Sequence, residues 1–174
     1  MQWFRIVVLS VAACVLYGVL HDQVTARICV EYFTIGHPPI FPTQDPTWLG
    51  IGWGVLATWW VGVLLGAPLA TVARIGTAPR RTAGDLVRPV GLLIIVSAAV
   101  ACGMGLIGWW AARNGWVFLV GDLAERVPPD KHLRYLAALW AHNGSYAAGF
   151  VGGAVLILMT WRGRRSRRAA VAEA

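Results

Sequence analysis

Four long apolar stretches separated by short polar ones set the pattern of this chain. The first runs from Ile6 to Leu20. As a helix it reaches only about 22 Å, against a hydrocarbon core of roughly 30 Å. A span of about 3–22 therefore has to draw in its flanks, with Trp3 and Phe4 at one interface and His21 and Asp22 at the edge of the other. This start is not read as a cleaved leader. No small-x-small site precedes His21, and the apolar run continues past the lipobox-like Val11–Cys14. The second stretch runs over about 48–72, with Pro68 predicted to kink its last turns. The third covers about 89–112, with Pro89 suited to a first turn, and the fourth about 133–161, with Asp130 as N-cap. The pattern predicts an all-α integral membrane four-helix bundle, a single domain ending in a basic tail, 162–174.

The connections differ in legibility. From Val24 to Ile35 the apolar positions fit both a strand and a helix, and with no sheet to join, an interfacial helix is favoured. Its Arg27 and Glu31 are then i,i+4 neighbours. His37-Pro38-Pro39 ends it, and the proline-rich stretch to Pro46 is a rigid loop. In 113–130, Trp116 to Val120 is apolar enough to dip into the interface, and Asp122, Glu125 and Arg126 keep the next turn solvated.

Composition agrees with this reading. Hydrophobic residues make up 57% and charged residues 13%, against roughly 25% charged in soluble domains. The net charge of +7 is distributed as a topology signal, not as a nucleic-acid footprint. Arg5, the four arginines of the 74–89 loop and the five of the tail fall on one side of a four-span arrangement, with Asp85 and Glu173 as the acids there. The positive-inside rule makes that side cytoplasmic. The expectation is a multi-pass inner-membrane protein with both termini cytoplasmic and all four histidines in the outer half.

The polar chemistry concentrates in His21–Pro38, HDQVTARICVEYFTIGHP. His21 lies eighteen residues from Trp3 and His142 nineteen from Trp161, so both sit about 27–29 Å from the same aromatic belt. If spans one and four are neighbours, His21, Asp22, His142 and Asn143 face one another. Imidazoles and carboxylates suit zinc, iron, copper or manganese, and His21, Asp22, Glu31, His37 and His142 are the candidate ligands. Ionisable groups at membrane depth are costly and point to function. There is no HxxxH or HExxH, and in an unbroken helix Asp22 and Glu31 lie half a turn out of phase. The plainer alternative is that these residues close the outer end of the bundle, Asp22 pairing with Arg27 or His142 and Glu31 with Arg27. Haem between His21 and His142 is a weaker reading. Proton-coupled transport lacks a mid-membrane carboxylate, acyl transfer at Ser145 lacks an elbow motif, and paired-thiol chemistry lacks a CxxC. Whether the chain is an enzyme stays open.

Cys14 and Cys102 read as apolar packing, whereas Cys29, among polar neighbours, is expected to be reachable by an outside thiol reagent. Besides lipid, the small-xxx-small pairs Gly50/Gly54, Gly62/Gly66 and Gly149/Gly153 suit close contact with another helix, in a homo-oligomer or with a membrane-protein partner. A non-enzymatic scaffold is thus the competing class.

The run YGxxHDQxTARxCxEYFTxxHP, Tyr17 to Pro38, resembles the signature of a family of small bacterial four-span membrane proteins. FPTxxPT (Phe41 to Thr47), WGVxATWWVG (Trp53 to Gly62) and LWAHxxSYxxGFVGG (Leu139 to Gly153) are similar to it as well. The resemblance covers most of the chain outside the basic tail and implies the four-span fold. It brings no activity, cofactor or substrate with it.

Overall fold

A computed structural model describes the backbone of residues 1–172 and the side chains of residues 1–166. The described residues are helical, without strands. In order they form α1 (Gln2–Ile28), the single turn α2 (Glu31–Thr34), α3 (Pro46–Leu56), α4 (Trp59–Arg74), α5 (Ala83–Arg113), the short α6 (Asp122–Arg126), a 3-10 turn (Pro129–Lys131) and α7 (His132–Ala172). Four helical segments, with α3 and α4 counted as one, are long and apolar enough to cross a membrane.

Local chemistry explains where the helices start. Asp45 caps α3, its carboxylate accepting from the backbone N–H groups of Thr47 (2.8 Å) and Trp48 (3.2 Å), with Pro46 in the first turn. Thr82 and Asp85 form a reciprocal capping box for α5. That box starts α5 at Ala83, earlier than the expected 89, so Pro89 lies inside the helix rather than in its first turn. Asp130 is not the cap expected for α7. It pairs with Lys131 at 3.6 Å, while His132 Nε2 meets the Val127 carbonyl at 2.9 Å. Helix α7 also runs on through most of the expected tail, to Ala172; residues 173–174 lie outside the described region.

The second span is broken, which its sequence did not announce. Between α3 and α4 the chain leaves helical geometry at Thr58 (φ −121°, ψ −22°), whose N–H turns to the Val55 carbonyl, and the Thr58 hydroxyl donates to the Gly54 carbonyl at 2.5 Å. A threonine bonding back to residue i−4 competes with the helical ladder. The Ala57 carbonyl at the break accepts from Tyr146 Oη at 3.4 Å.

Helix α1 packs on α3, α4 and α5, and α7 packs on α5 and α4. Helices α1 and α7 are therefore diagonal partners that meet across the bundle axis, not flank to flank. The glycines of span two explain the tightest seam. A Cβ on Gly54 would stand 2.5 Å from Val19 Cα, one on Gly62 2.5 Å from Val11 Cα, and one on Gly50 3.1 Å from the Asp22 backbone. Gly66 faces Ser10. These four small residues are thus used against α1 of the same chain, and only hydrogens fit there. Gly149 is different: a Cβ there meets nothing within 4 Å.

The core is packed at two ends. At one end Ala26, Cys29, Phe33, Leu49, Trp53, Leu119, Val127 and Tyr135 are buried together. At the other, Ile6, Leu69, Ala70, Ala73, Leu86 and Val90 are. This second end carries the arginine-rich loop. Gln2 Oε1 accepts from the Ala83 N–H, and the Arg164 guanidinium, 3% exposed, donates to the carbonyls of Val72, Ile75, Ala78 and Pro79. Arg164 thereby satisfies carbonyls left open where α4 ends. Arg164→Ala is expected to lower the unfolding free energy in detergent by about 2 kcal/mol, since the carbonyls of Val72, Ile75, Ala78 and Pro79 lose a charged donor together. Arg164→Lys should recover less than half, because an ammonium lacks the planar fork. A midpoint shift in thermal or SDS unfolding checks both.

Candidate functional site

The packed end around Phe33 and Trp53 contains the polar cluster. Helix α1 carries His21 and Asp22 on its inner side, near its crossing with Gly50. Helix α7 brings His142 from the diagonal corner. His142 Nε2 lies 2.9 Å from Asp22 Oδ1, and His142 Nδ1 lies 3.4 Å from His21 Nε2 and 3.1 Å from the Ala138 carbonyl. One ligand atom from each of His21, Asp22 and His142 can be chosen so that all lie within 4.8 Å of one another. Asp22 is 4% exposed and His142 7%. The equal depth reckoned from Trp3 and Trp161 is what allows the two imidazoles to touch.

The electrostatics are unusual in their balance. A carboxylate and a backbone carbonyl only accept, and each imidazole brings at least one lone pair unless doubly protonated. Among the described residues the ion-pair partner of Asp22 is His142. Arg27, the alternative partner, instead bonds Gln23 (carbonyl 2.7 Å, Oε1 2.6 Å) and Thr47 Oγ1 (3.1 Å). The cluster is thus rich in electron pairs and lacks a fixed cation of its own.

Aromatic rings enclose it. Tyr32 lies over His142 with ring centroids 4.4 Å apart, and His21 meets His142 edge to face at 4.5 Å. His37 stacks on Phe33 and touches Trp53 and Tyr32. Burial lowers the pKa of His37 and raises that of Tyr32. Beneath His21, Tyr17 Oη donates to Ser145 Oγ at 2.9 Å.

Two expected ligands are not part of this group. α1 ends at Ile28, Cys29 is extended (φ −155°, ψ 97°), and α2 sets off as a separate turn. The break frees Glu31 from the phase that a continuous helix would impose, but Glu31 accepts from the Cys29 thiol at 3.3 Å instead of joining Asp22 or Arg27. His37 has Nδ1 2.9 Å from the Tyr32 carbonyl and acts as a wall of the site. The helix-or-strand ambiguity over 23–35 resolves into helix, break and helical turn.

Cys29 corrects another expectation. It is 2% exposed, and burial together with its bond to Glu31 pushes the thiol pKa up to about 12. The thiolate is the reactive form, so at about pH 8 an impermeant maleimide should leave Cys29 unmodified in the folded protein and label it only after denaturation. Mass spectrometry of the intact chain reads this directly.

Sequence reasoning passed over Tyr17 and Tyr32. Tyr17 had a signal: Ser10, Cys14, Tyr17 and His21 follow one helix face at i, i+4, i+7 and i+11. Tyr32 had none, because its place depends on the turn after Cys29. Compared with known proteins, the chain matches no family model, no curated protein and no solved structure.

Proposed function

We propose that this is a multi-pass inner-membrane protein whose His21–Asp22–His142 cluster holds a divalent transition metal at the extracytoplasmic end of the bundle. The observation that carries this reading is the buried, electron-pair-rich convergence of two imidazoles and a carboxylate with no lysine or arginine paired to them among the described residues. In the present arrangement Asp22 takes Nε2 of His142, which turns Nδ1 toward His21 Nε2. The ion would sit between these two nitrogens, with Asp22 orienting His142 as carboxylates do for metal-bound imidazoles. Imidazole nitrogen donors suit zinc, iron or copper, whereas manganese prefers oxygen ligands. The edge-to-face ring contact at 4.5 Å favours a single small ion over haem, which needs the two imidazoles on opposite faces of a macrocycle. Tyr17, Ser145 and Tyr32 would then be the groups flanking the ion. The resemblance to small bacterial four-span proteins is compatible with this assignment and adds no activity to it.

Cobalt(II) titration of the detergent-solubilised protein tests the site. Visible d–d absorbance should saturate near one equivalent, fall at least tenfold in apparent affinity in Asp22→Asn and vanish in His21→Ala. Absorbance unchanged in His21→Ala would place any metal elsewhere.

The orientation rests on the arginines gathered around the α4–α5 connection. With Cys29 silent, an impermeant maleimide added to intact cells should label Gln44→Cys and spare Thr77→Cys. The reverse pattern would invert the topology.

A further inference from the structure

The end of the bundle opposite the histidine cluster gathers positive charge. Helix α4 ends at Arg74, and Gly76 takes a left-handed conformation (φ +75°) that turns the chain back. Arginines tie the returning loop down. Arg164 of α7 donates to the carbonyls of Ile75, Ala78 and Pro79, and Arg74 Nη1 donates to the Arg81 carbonyl at 3.2 Å. The Arg81 N–H donates to the Ala73 carbonyl at 3.0 Å. This closure brings Arg74, Arg80 and Arg81 close enough to Arg164 to repel its charge. The Arg81 guanidinium also reaches α7, with Nη2 3.7 Å from where a Cβ on Gly163 would stand.

Among the described residues the ion pairs lie at the other end: Asp22 with His142, Asp122 with Arg126, and Asp130 with Lys131. The Asp85 carboxylate, at the start of α5, accepts from the N–H and hydroxyl of Thr82. Four guanidiniums are thus held together with no described carboxylate paired to them, a repulsion that a bound anion would relieve. Arg164 is buried and turned to its carbonyls, whereas Arg80 is exposed and Arg74 and Arg81 are half-buried. Depth points to where the anion comes from. Arg164 lies three residues beyond Trp161, and Arg74 three beyond Thr71, whose hydroxyl accepts from Trp3 Nε1 at 3.1 Å. Both arginines therefore start about 4.5 Å outside the aromatic belt, at the level of lipid phosphates.

We infer that Arg74, Arg80 and Arg81, beside the fixed charge of Arg164, form a binding site for the phosphate of an anionic phospholipid. Guanidinium forks match pairs of phosphate oxygens, and basic pockets between membrane helices suit such head groups. A head group with its own cation, choline for instance, would add positive charge to a site that already holds four. A glycerol head group would not. The site lies at the opposite end from the metal cluster and does not depend on it.

Native mass spectrometry of the full chain in a non-ionic detergent, titrated with dioleoyl phosphatidylglycerol or dioleoyl phosphatidylcholine, tests this. Phosphatidylglycerol should bind the wild type more tightly than phosphatidylcholine. The double variant Arg80→Gln/Arg81→Gln should weaken it at least about fivefold, the factor that a single arginine contributes at an anionic lipid surface. It leaves the ties made by Arg74 and Arg164 in place. Should it fail to fold, Arg80→Gln alone, at an exposed position, should show a smaller loss of the same kind. Arg113→Gln/Arg134→Gln removes the same charge elsewhere and should bind as wild type. Equal binding of the two lipids, an unchanged affinity in the folded Arg80 and Arg81 variants, or an equal loss in the Arg113 and Arg134 control would overturn the inference. So would displacement of phosphatidylglycerol by millimolar inorganic phosphate, which would give the site to a soluble anion.

Discussion

Gly62→Leu is expected to cost about 3 kcal/mol or more of stability in detergent, at or beyond the upper end for overpacking a tight interior. The added Cβ alone would stand 2.5 Å from Val11 Cα, and it meets backbone, which cannot rotate aside. Gly54→Leu should be as severe, because its Cβ faces the Val19 backbone at the same distance. In both cases α1 must move away from the second span. The site should loosen with it, since Gly50 on the same seam backs the Asp22 backbone. Gly149→Ala, with nothing near its Cβ, should be neutral or gain up to about 1 kcal/mol from helix propensity. SDS or thermal unfolding midpoints compare the three. Equal, small effects at all three positions would mean that the α1 seam is not as close as described. A partner helix seeking these glycines would have to displace α1, so any oligomer contact is better sought on another face.

Asp22→Leu is expected to destabilise the protein by about 3 kcal/mol, the lower end for breaking a buried pair while leaving one member behind. His142 would keep a buried ring nitrogen with no carboxylate at 2.9 Å. His142→Leu should cost a similar amount. The double variant should cost clearly less than the two together, with a coupling energy of about 2 kcal/mol. Additive losses would mean that the two side chains do not act as a unit. Asp22→Asn keeps an oxygen acceptor for His142 and should retain most of the stability, while weakening the metal affinity that depends on the charge.

The parts of this structure legible in the sequence are those governed by periodicity and depth. Four apolar runs became four helical segments of spanning length. The shared level of His21 and His142 followed from helical rise and aromatic anchors, and the rise is nearly constant. What could not be read depends on direction after a break. Nothing before Cys29 tells which way α2 will turn, so Glu31 and His37 were grouped with His21 although they end beside Cys29 and Trp53. The diagonal relation of α1 and α7 was equally hidden. The glycine row Gly50, Gly54, Gly62, Gly66 reveals a close contact but not the identity of the helix that makes it. Thr58, which continues that row at four-residue spacing, could have been read as part of the seam. It could not have been read as a break, because the same back-bond to residue i−4 is made by Thr25 and Thr71 within unbroken helix.

The most direct test of the metal assignment is elemental analysis of the protein purified from its membranes without added metal, beside His21→Ala and His142→Ala. The account predicts close to one equivalent of a single divalent transition metal in wild type and its loss in both variants, with all three proteins eluting as folded species. Wild type free of metal, or metal retained at full occupancy in either folded variant, would contradict it.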